Sequence, residues 1–283
     1  MTSRAGADTD VRFSVVIPAY NEADYLAATL ASLAAQDFDG NVEIIVVDNA
    51  STDSTAELAG RTGARVLHEP YRGVCAARQC GTAAARGEIV VSTDADTVHP
   101  IDWLSRLDQR FRAVPEAVAV AGPCRYAAPL WWASVVPPLW FAALSLVHRL
   151  CGWVGYVSAT NVAFVRSGFP GYDTTLTQGG DEVDLLRRLR RRGRVVWDSD
   201  IVVTTSSRRM NQGLAYTLVV SYGYYYAFSY LMNRLSGGAL GAPAPAIRHA
   251  DIKLVRRRRR LWRAGSLTAI AALVVLLQQR SRE

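Results

Sequence analysis

The chain has 283 residues, half of them hydrophobic, and a formal net charge of +7. From Arg248 to Glu283 there are 10 basic and 2 acidic residues, which leaves 22 basic against 23 acidic residues in the rest. A near-neutral body of this size suits one large folded domain with appendages and argues against a nucleic-acid-binding body, whereas the basic tail suits an anionic surface.

The four cysteines, Cys75, Cys80, Cys124 and Cys151, have no Cys-x-x-Cys spacing. They indicate neither a zinc site nor a disulfide framework and fit a reducing compartment. The first twelve residues are polar and acidic, so no secretory signal is expected there.

In chain order, Phe13–Pro18 reads as a buried strand stopped by proline. Asn21 and Glu22 are placed to cap a helix with Leu26, Leu30 and Leu33 on one face. Val42–Asp48 is a second apolar strand, ending in a carboxylate. Asn49–Asp53 is turn chemistry, and Ser54 with Glu57 fits a capping box for the next helix, which Gly63 ends. Ala64–His68 is a third strand, and an alanine-rich helix runs from Val74 to Arg86. Gly87 then opens the fourth strand, which finishes at Ser92-Thr93-Asp94-Ala95-Asp96. Pro100 starts a helix with Trp103, Leu104, Leu107 and Phe111 inward, and Ala117–Ala121 is a fifth strand.

The second half differs. Pro129–Trp153 is rich in Trp, Pro and Leu, and Pro137-Pro138 is expected to break it before it can form a regular membrane-spanning helix. It reads either as interfacial or acceptor-lining helices or as a buried lid or dimer face. Tyr156–Val165 reads as a strand. Asp181–Leu189 is a helix with acidic residues at its start and arginines toward its end, which suits the macrodipole. Val195–Trp197 and Ile201–Val203 are short strands. Residues 211–235 form an aromatic helix, 236–247 a Gly/Ala/Pro linker, and 248–283 a tail with five consecutive arginines and an apolar run, Leu267–Leu277. That run is too short to cross a bilayer, so an interfacial helix with a cytoplasmic basic flank is expected; a poorly ordered tail or an oligomer contact is the alternative.

Apolar strands alternating with helices predict an α/β fold, a Rossmann-like, mostly parallel sheet with helices on both faces, in which ligands bind beyond the carboxyl ends of the strands. Residues 18–22, Asp48 and the Asp94/Asp96 pair all fall at such ends. Residues i and i+2 of an extended chain point the same way, so Asp94 and Asp96 can converge. Adjacent anions need a compensating cation, and a hard ion such as Mg²⁺ or Mn²⁺ would also hold substrate phosphates. Two solvated aspartates in a loop are the plainer alternative.

Four motifs stand in order: Val16-Ile17-Pro18-Ala19-Tyr20-Asn21-Glu22, Val46-Val47-Asp48-Asn49-Ala50-Ser51-Thr52-Asp53, Arg72-Gly73-Val74-Cys75-Ala76-Ala77-Arg78 and Asp94-Ala95-Asp96. In this order and spacing the chain resembles family 2 of the inverting glycosyltransferases, with the nucleotide-sugar-binding fold called GT-A, from about Phe13 to about Arg209. The resemblance implies a GT-A domain over residues 1–210; the helical, membrane-proximal C-terminal appendage lies outside it and is read from its composition. The resemblance implies that Asp48 reads the base, that Pro18, Ala19, Tyr20 and Glu22 line the nucleotide pocket with Asn49 beside them, and that Arg78 steadies the diphosphate. It implies that the Asp94-Ala95-Asp96 segment holds ribose and metal, the two aspartates being the metal ligands. Gly179-Gly180-Asp181-Glu182 resembles the site of the family's Glu-Asp catalytic pair, in reversed order. By position Glu182 is the base, and Asp181 is the substitute. Arg208 and Arg209 fall where such enzymes carry a diphosphate-contacting segment, with surface charge as the alternative.

The function so implied is metal-dependent, inverting transfer of a sugar from a nucleoside-diphosphate sugar to an acceptor hydroxyl; the Trp/Pro-rich segment and the basic, apolar tail point to a lipid-linked or cell-envelope precursor at the inner face of the membrane. The tail supplies peripheral membrane contact, nucleic acid is not a partner, and oligomerisation is open. A sugar-1-phosphate nucleotidyltransferase and a non-catalytic nucleotide-sugar-binding membrane protein are the rivals. The former calls for a Gly-rich phosphate loop where this chain has Pro-Ala-Tyr-Asn-Glu.

Overall fold

A computed structural model describes residues 11–176 and 181–214, with Thr217, Leu218, Val219, Phe228 and Leu231 beyond them. The chain divides at Pro245/Ala246. The expected linker and basic tail, most of the aromatic helix, and Gly179 and Gly180 lie outside the described residues.

The body is built on a seven-stranded sheet. Its strands are β1 (Phe13–Ala19), β2 (Val42–Asp48), β3 (Arg65–His68), β4 (Ile89–Ser92), β6 (Ala117–Ala121), β8 (Val162–Val165) and β9 (Arg194–Trp197), in the order β3-β2-β1-β4-β8-β6-β9. All neighbouring pairs are parallel except those of β8, which runs antiparallel between β4 and β6. Val15, Val16, Ile17, Ile45, Val46 and Val47 are buried, as continuous apolar runs in a doubly covered sheet should be. A small second sheet orders β5 (Thr97–Val98), β10 (Val203–Ser206) and β7 (Cys124–Ala127). The sequence reading missed β5 and β7: two to four residues carry too little periodicity to stand out.

Helices α1 (Ala23–Ala34), α2 (Thr55–Gly60), α3 (Val74–Ala84), α4 (Trp103–Ala113), α5 (Val136–Cys151) and α6 (Asp181–Arg190) follow the strands. Helix α3 packs so closely on β1 and β2 that a Cβ at Gly81 would lie 2.4 Å from Val16 Cγ1 and 2.9 Å from Val47 Cγ2. The cysteines are free, as expected.

Four local expectations are corrected. Pro137 and Pro138 do not break a helix: they sit in the first turn of α5, where backbone N–H groups have no partner to lose. After a 3₁₀ turn at Trp131–Ser134, the stretch Trp131–Cys151 is long and apolar enough to cross a membrane by length and composition. The strand expected from Tyr156 begins only at Val162, because Ala159 N–H goes to Glu182 and the Asn161 side chain to Pro123 O and Ile201 O. The last strand is Val203–Ser206, two residues later than expected, because Asn161 claims Ile201 O. Neither expected N-terminal cap forms: Ser54 makes no side-chain cap, and Asp53 Oδ1 accepts from Thr55 N instead, at 3.0 Å. At α1 the carboxylate of Glu22 is engaged elsewhere.

Candidate functional site

The register of the sheet builds the rim. Ala19, Asp48 and His68 are in-register partners at the ends of three adjacent parallel strands. Asp48 Oδ2 lies 3.0 Å from His68 Nδ1, and Asp48 Oδ1 accepts from Ser51 N at 3.2 Å. The loops beyond β1 and β2 are interlocked. Asn21 adopts a positive φ of 51°, which Asn tolerates better than most residues, and its Oδ1 accepts from Thr52 N at 2.7 Å. Asn21 N donates to Ser51 Oγ at 3.0 Å, and Glu22 N to Thr55 Oγ1 at 2.8 Å. Asn49 anchors the next loop, donating to Glu69 O and Tyr71 O and accepting from Gly73 N. The Arg72 guanidinium stacks on Tyr20 at 3.8 Å from the ring centre. This wall was legible only in part: Pro18, Ala19, Tyr20, Asp48 and Asn49 were singled out, Arg72 stood in the third motif without a role, and His68 was read only as the end of a strand. Their contacts depend on strand register and loop return, which are not local properties of the sequence.

Two arginines then join four carboxylates of the site, Glu22, Asp96, Asp94 and Asp181. Arg208 donates a two-armed fork to Glu22, at 2.7 and 2.6 Å, and its Nη2 lies 2.9 Å from Asp96 Oδ2. It also stacks on Tyr25. Thr205 Oγ1 donates to Asp96 Oδ1 at 3.3 Å. Arg78, buried in α3, donates to Asp94 Oδ1 and to Asp181 Oδ2, both at 2.7 Å. Glu182 follows Asp181 at the start of α6 and is held differently. Its Oε2 accepts from the Tyr156 hydroxyl at 2.8 Å and its Oε1 from Ala159 N at 3.1 Å. A continuous line of contacts thus runs Glu22–Arg208–Asp96, then Asp94–Arg78–Asp181 beside Glu182. Ala95 is buried between the two aspartates, and its carbonyl accepts from Thr29 Oγ1. Arg209, half-buried, adjoins Arg208 in the same turn.

The electrostatics follow from burial. Burial raises the pKa of Asp96; Arg208 opposes the rise, and Asp94 and Glu22 add to it. Burial raises that of Glu182 as well, with Asp181 adding repulsion, and the hydrogen bonds from Tyr156 and Ala159 only partly offset it. Burial works against the charge on Arg78, but Asp94 and Asp181 outweigh it and its pKa is raised. The sites of Asp94 and Asp96 suit a hard divalent cation. They offer oxygen only, and the crowding of carboxylates at Asp96 is what a second cation would relieve. No group of three or more His, Cys, Asp or Glu side chains among the described residues forms a metal cage, so such an ion would draw its remaining ligands from substrate and water.

The sequence pattern of the family described as Glycosyl transferase family 2 matches residues 14–166, more than half of the chain. The chain belongs to glycosyl transferase family 2. As a member of that family it adopts the GT-A fold, shared with a mannosyltransferase from Pyrobaculum calidifontis solved with GDP-Man and Mn²⁺. The TM-score is 0.61 at 24% identity, covering 83% of this chain and 66% of that one. An uncharacterized glycosyltransferase of Mycobacterium tuberculosis is 43% identical over 83 residues, 29% of this chain and 36% of its own. An undecaprenyl-phosphate 4-deoxy-4-formamido-L-arabinose transferase of Aeromonas hydrophila is 36% identical over 110 residues, 35% of this chain and 34% of its own. The chain spans about a third of the length of these curated relatives.

Proposed function

We propose that this family 2 member is an inverting glycosyltransferase that moves a sugar from a nucleoside-diphosphate sugar to an acceptor hydroxyl, with Glu182 as the general base. One observation carries the reading: the neighbouring carboxylates of α6 have different settings. Asp181 is tied to Arg78, which also holds Asp94. Glu182 makes no ion pair among the described residues, is buried, and is aimed by Tyr156 and Ala159. A carboxylate pushed up toward neutrality can take a proton and release it again, whereas one neutralised by an arginine is a poorer acceptor. This difference in setting supports Glu182 as the base despite the reversed Asp-Glu order, with Asp181 in a positioning role.

In the reaction, the acceptor oxygen forms a bond to the anomeric carbon as the bond from that carbon to the diphosphate oxygen breaks. The diphosphate leaves with the electron pair, the acceptor proton goes to Glu182, and a single displacement inverts the centre. Asp48 and its loop, with Tyr20 stacked by Arg72, would take the nucleotide. Arg208 and Arg209, on the turn after β10, would face the diphosphate. A Mg²⁺ or Mn²⁺ held by Asp94 and Asp96 would neutralise charge on the leaving diphosphate.

A lipid-linked acceptor that presents the hydroxyl is the reading the relatives' printed names favour, among them a dolichyl-phosphate hexose transferase of Haloferax volcanii. With such an acceptor the protein would work at the inner face of the cell membrane, its basic tail serving as a contact. The test compares Glu182→Gln and Asp96→Ala with wild type for donor hydrolysis and sugar transfer. Glu182→Gln is expected to lose about 10²–10⁴-fold in transfer while still binding donor; undiminished transfer in both variants would discard the mechanism.

A further inference from the structure

We propose that α5 and the 3₁₀ turn before it form a docking face for an anionic lipid bilayer, lying in the plane of the interface. The helix is apolar on nearly all sides, yet only a narrow stripe of it meets the body. Phe141 stacks on Trp197, Ser145 Oγ accepts from Trp197 Nε1 at 2.8 Å, and Leu144 is buried beside them. The rest faces outward: Trp131 is 80% exposed, Leu139 65%, Trp140 53%, Leu146 51%, Leu150 77% and Trp153 53%. An apolar face on this scale marks an interaction site rather than ordinary surface.

The chemistry of the stretch selects a bilayer. Tryptophans stand at its start, middle and end, and their amphipathic rings favour the headgroup level. No Asp or Glu occurs between Glu116 and Asp173, while Arg125 and Arg149 are exposed. That one-sided charge complements anionic lipid. The stripe fixed to Trp197 argues for lying on the membrane rather than crossing it, because a spanning helix would have to release Phe141, Leu144 and Ser145. The face also adjoins the site: Phe141 packs against Tyr156, ring centres 6.5 Å apart, and Tyr156 holds Glu182. Delivery of a lipid-borne acceptor along this route rests on the transfer reading above; the docking does not.

The test is flotation of the full chain with vesicles of phosphatidylcholine alone or mixed with phosphatidylglycerol, in the absence of donor. It is run in a background with Arg256→Gln through Arg260→Gln, so that the basic tail does not mask the result. The background protein is expected to float with the mixed vesicles, less at high salt, and to float less with phosphatidylcholine alone. Adding Trp140→Ser, Leu146→Ser and Leu150→Ser should lower binding at least about tenfold. The thermal melt should stay unchanged, since these side chains are exposed. Failure of the background protein to float, or unchanged flotation of the triple variant, overturns the proposal. A sedimentation shift from dimer to monomer with unchanged flotation would overturn it in favour of a second copy of this chain. Because no donor is present, failure of the transfer reading leaves this result standing.

Discussion

Arg78 is a single side chain on which two separated carboxylates depend. Its guanidinium is rigid and forked, so it can serve Asp94 and Asp181 at once. Removing it strands both, one of them buried. Arg78→Ala is expected to cost about 3–5 kcal/mol, read as a shift in urea midpoint, because breaking a buried pair leaves an uncompensated charge. Arg78→Lys should recover part of the stability but little transfer, since a lysine cannot span both partners. Glu182 makes a pH prediction. Its pKa is pushed up to about 7 by burial, so transfer should rise with pH through that region and flatten above it. The rising limb should be absent in the residual activity of Glu182→Gln. His99 makes the opposite kind of prediction, about stability. It is buried between Ser32 Oγ and Thr93 Oγ1, and burial pushes its pKa down to about 3. Below its ordinary value of 6.5 the unfolded chain binds a proton that the folded chain refuses. Its stabilising contribution is therefore present above that value and lost as pH falls, by about 1.4 kcal/mol per pH unit between the two values. The stability gap between wild type and His99→Gln should narrow as the pH of a urea titration is lowered through this window.

At the scale of elements, two effects compete at Gly81. In a helix, alanine is better than glycine by about 1 kcal/mol. Yet a Cβ there would meet Val16 and Val47 well inside contact distance, and both valines are stiff, buried strand residues. Overpacking of about 1–3 kcal/mol should win, so Gly81→Ala is expected to lower the urea midpoint rather than raise it. Strand β8 shows a different lesson. It alone runs antiparallel in the main sheet, and the loop that precedes it brings Tyr156 and Ala159 to Glu182. A strand begun at Tyr156, as the sequence reads, would have directed those groups into a ladder instead. Propensity lost to the needs of a buried carboxylate.

For the whole molecule, the donor should stabilise the fold by mass action. A nucleoside-diphosphate sugar at about 100 times its dissociation constant would add about 2.7 kcal/mol. A thermal-shift panel of sugar nucleotides with and without Mn²⁺ should therefore show one metal-dependent rise, and the sugar nucleotide that causes it identifies the donor. If none shifts the melt under either condition, the donor site is misassigned.

The order of the longer strands and helices, the strand-end positions of Asp48, Asp94 and Asp96, and the family resemblance were readable from residues alone. Each is written locally, in apolar runs of strand length, in turn residues, and in carboxylates that close a strand. The partners of those carboxylates were not. Arg78 to Asp181 joins residues 103 positions apart, and Arg208 to Glu22 joins residues 186 apart. Nothing near either arginine says which anion it will meet; that depends on strand order, on register, and on where the turn after β10 returns. The same holds for α5. Its composition could serve a lid, a dimer face or a membrane, and only packing on Trp197 decided which stripe is covered and which faces outward. Local sequence determines what each segment can be, because backbone preference and periodicity are short-ranged. Which charge is neutralised, and which apolar face is left open, are properties of distances between remote residues, and those exist only once the chain has closed.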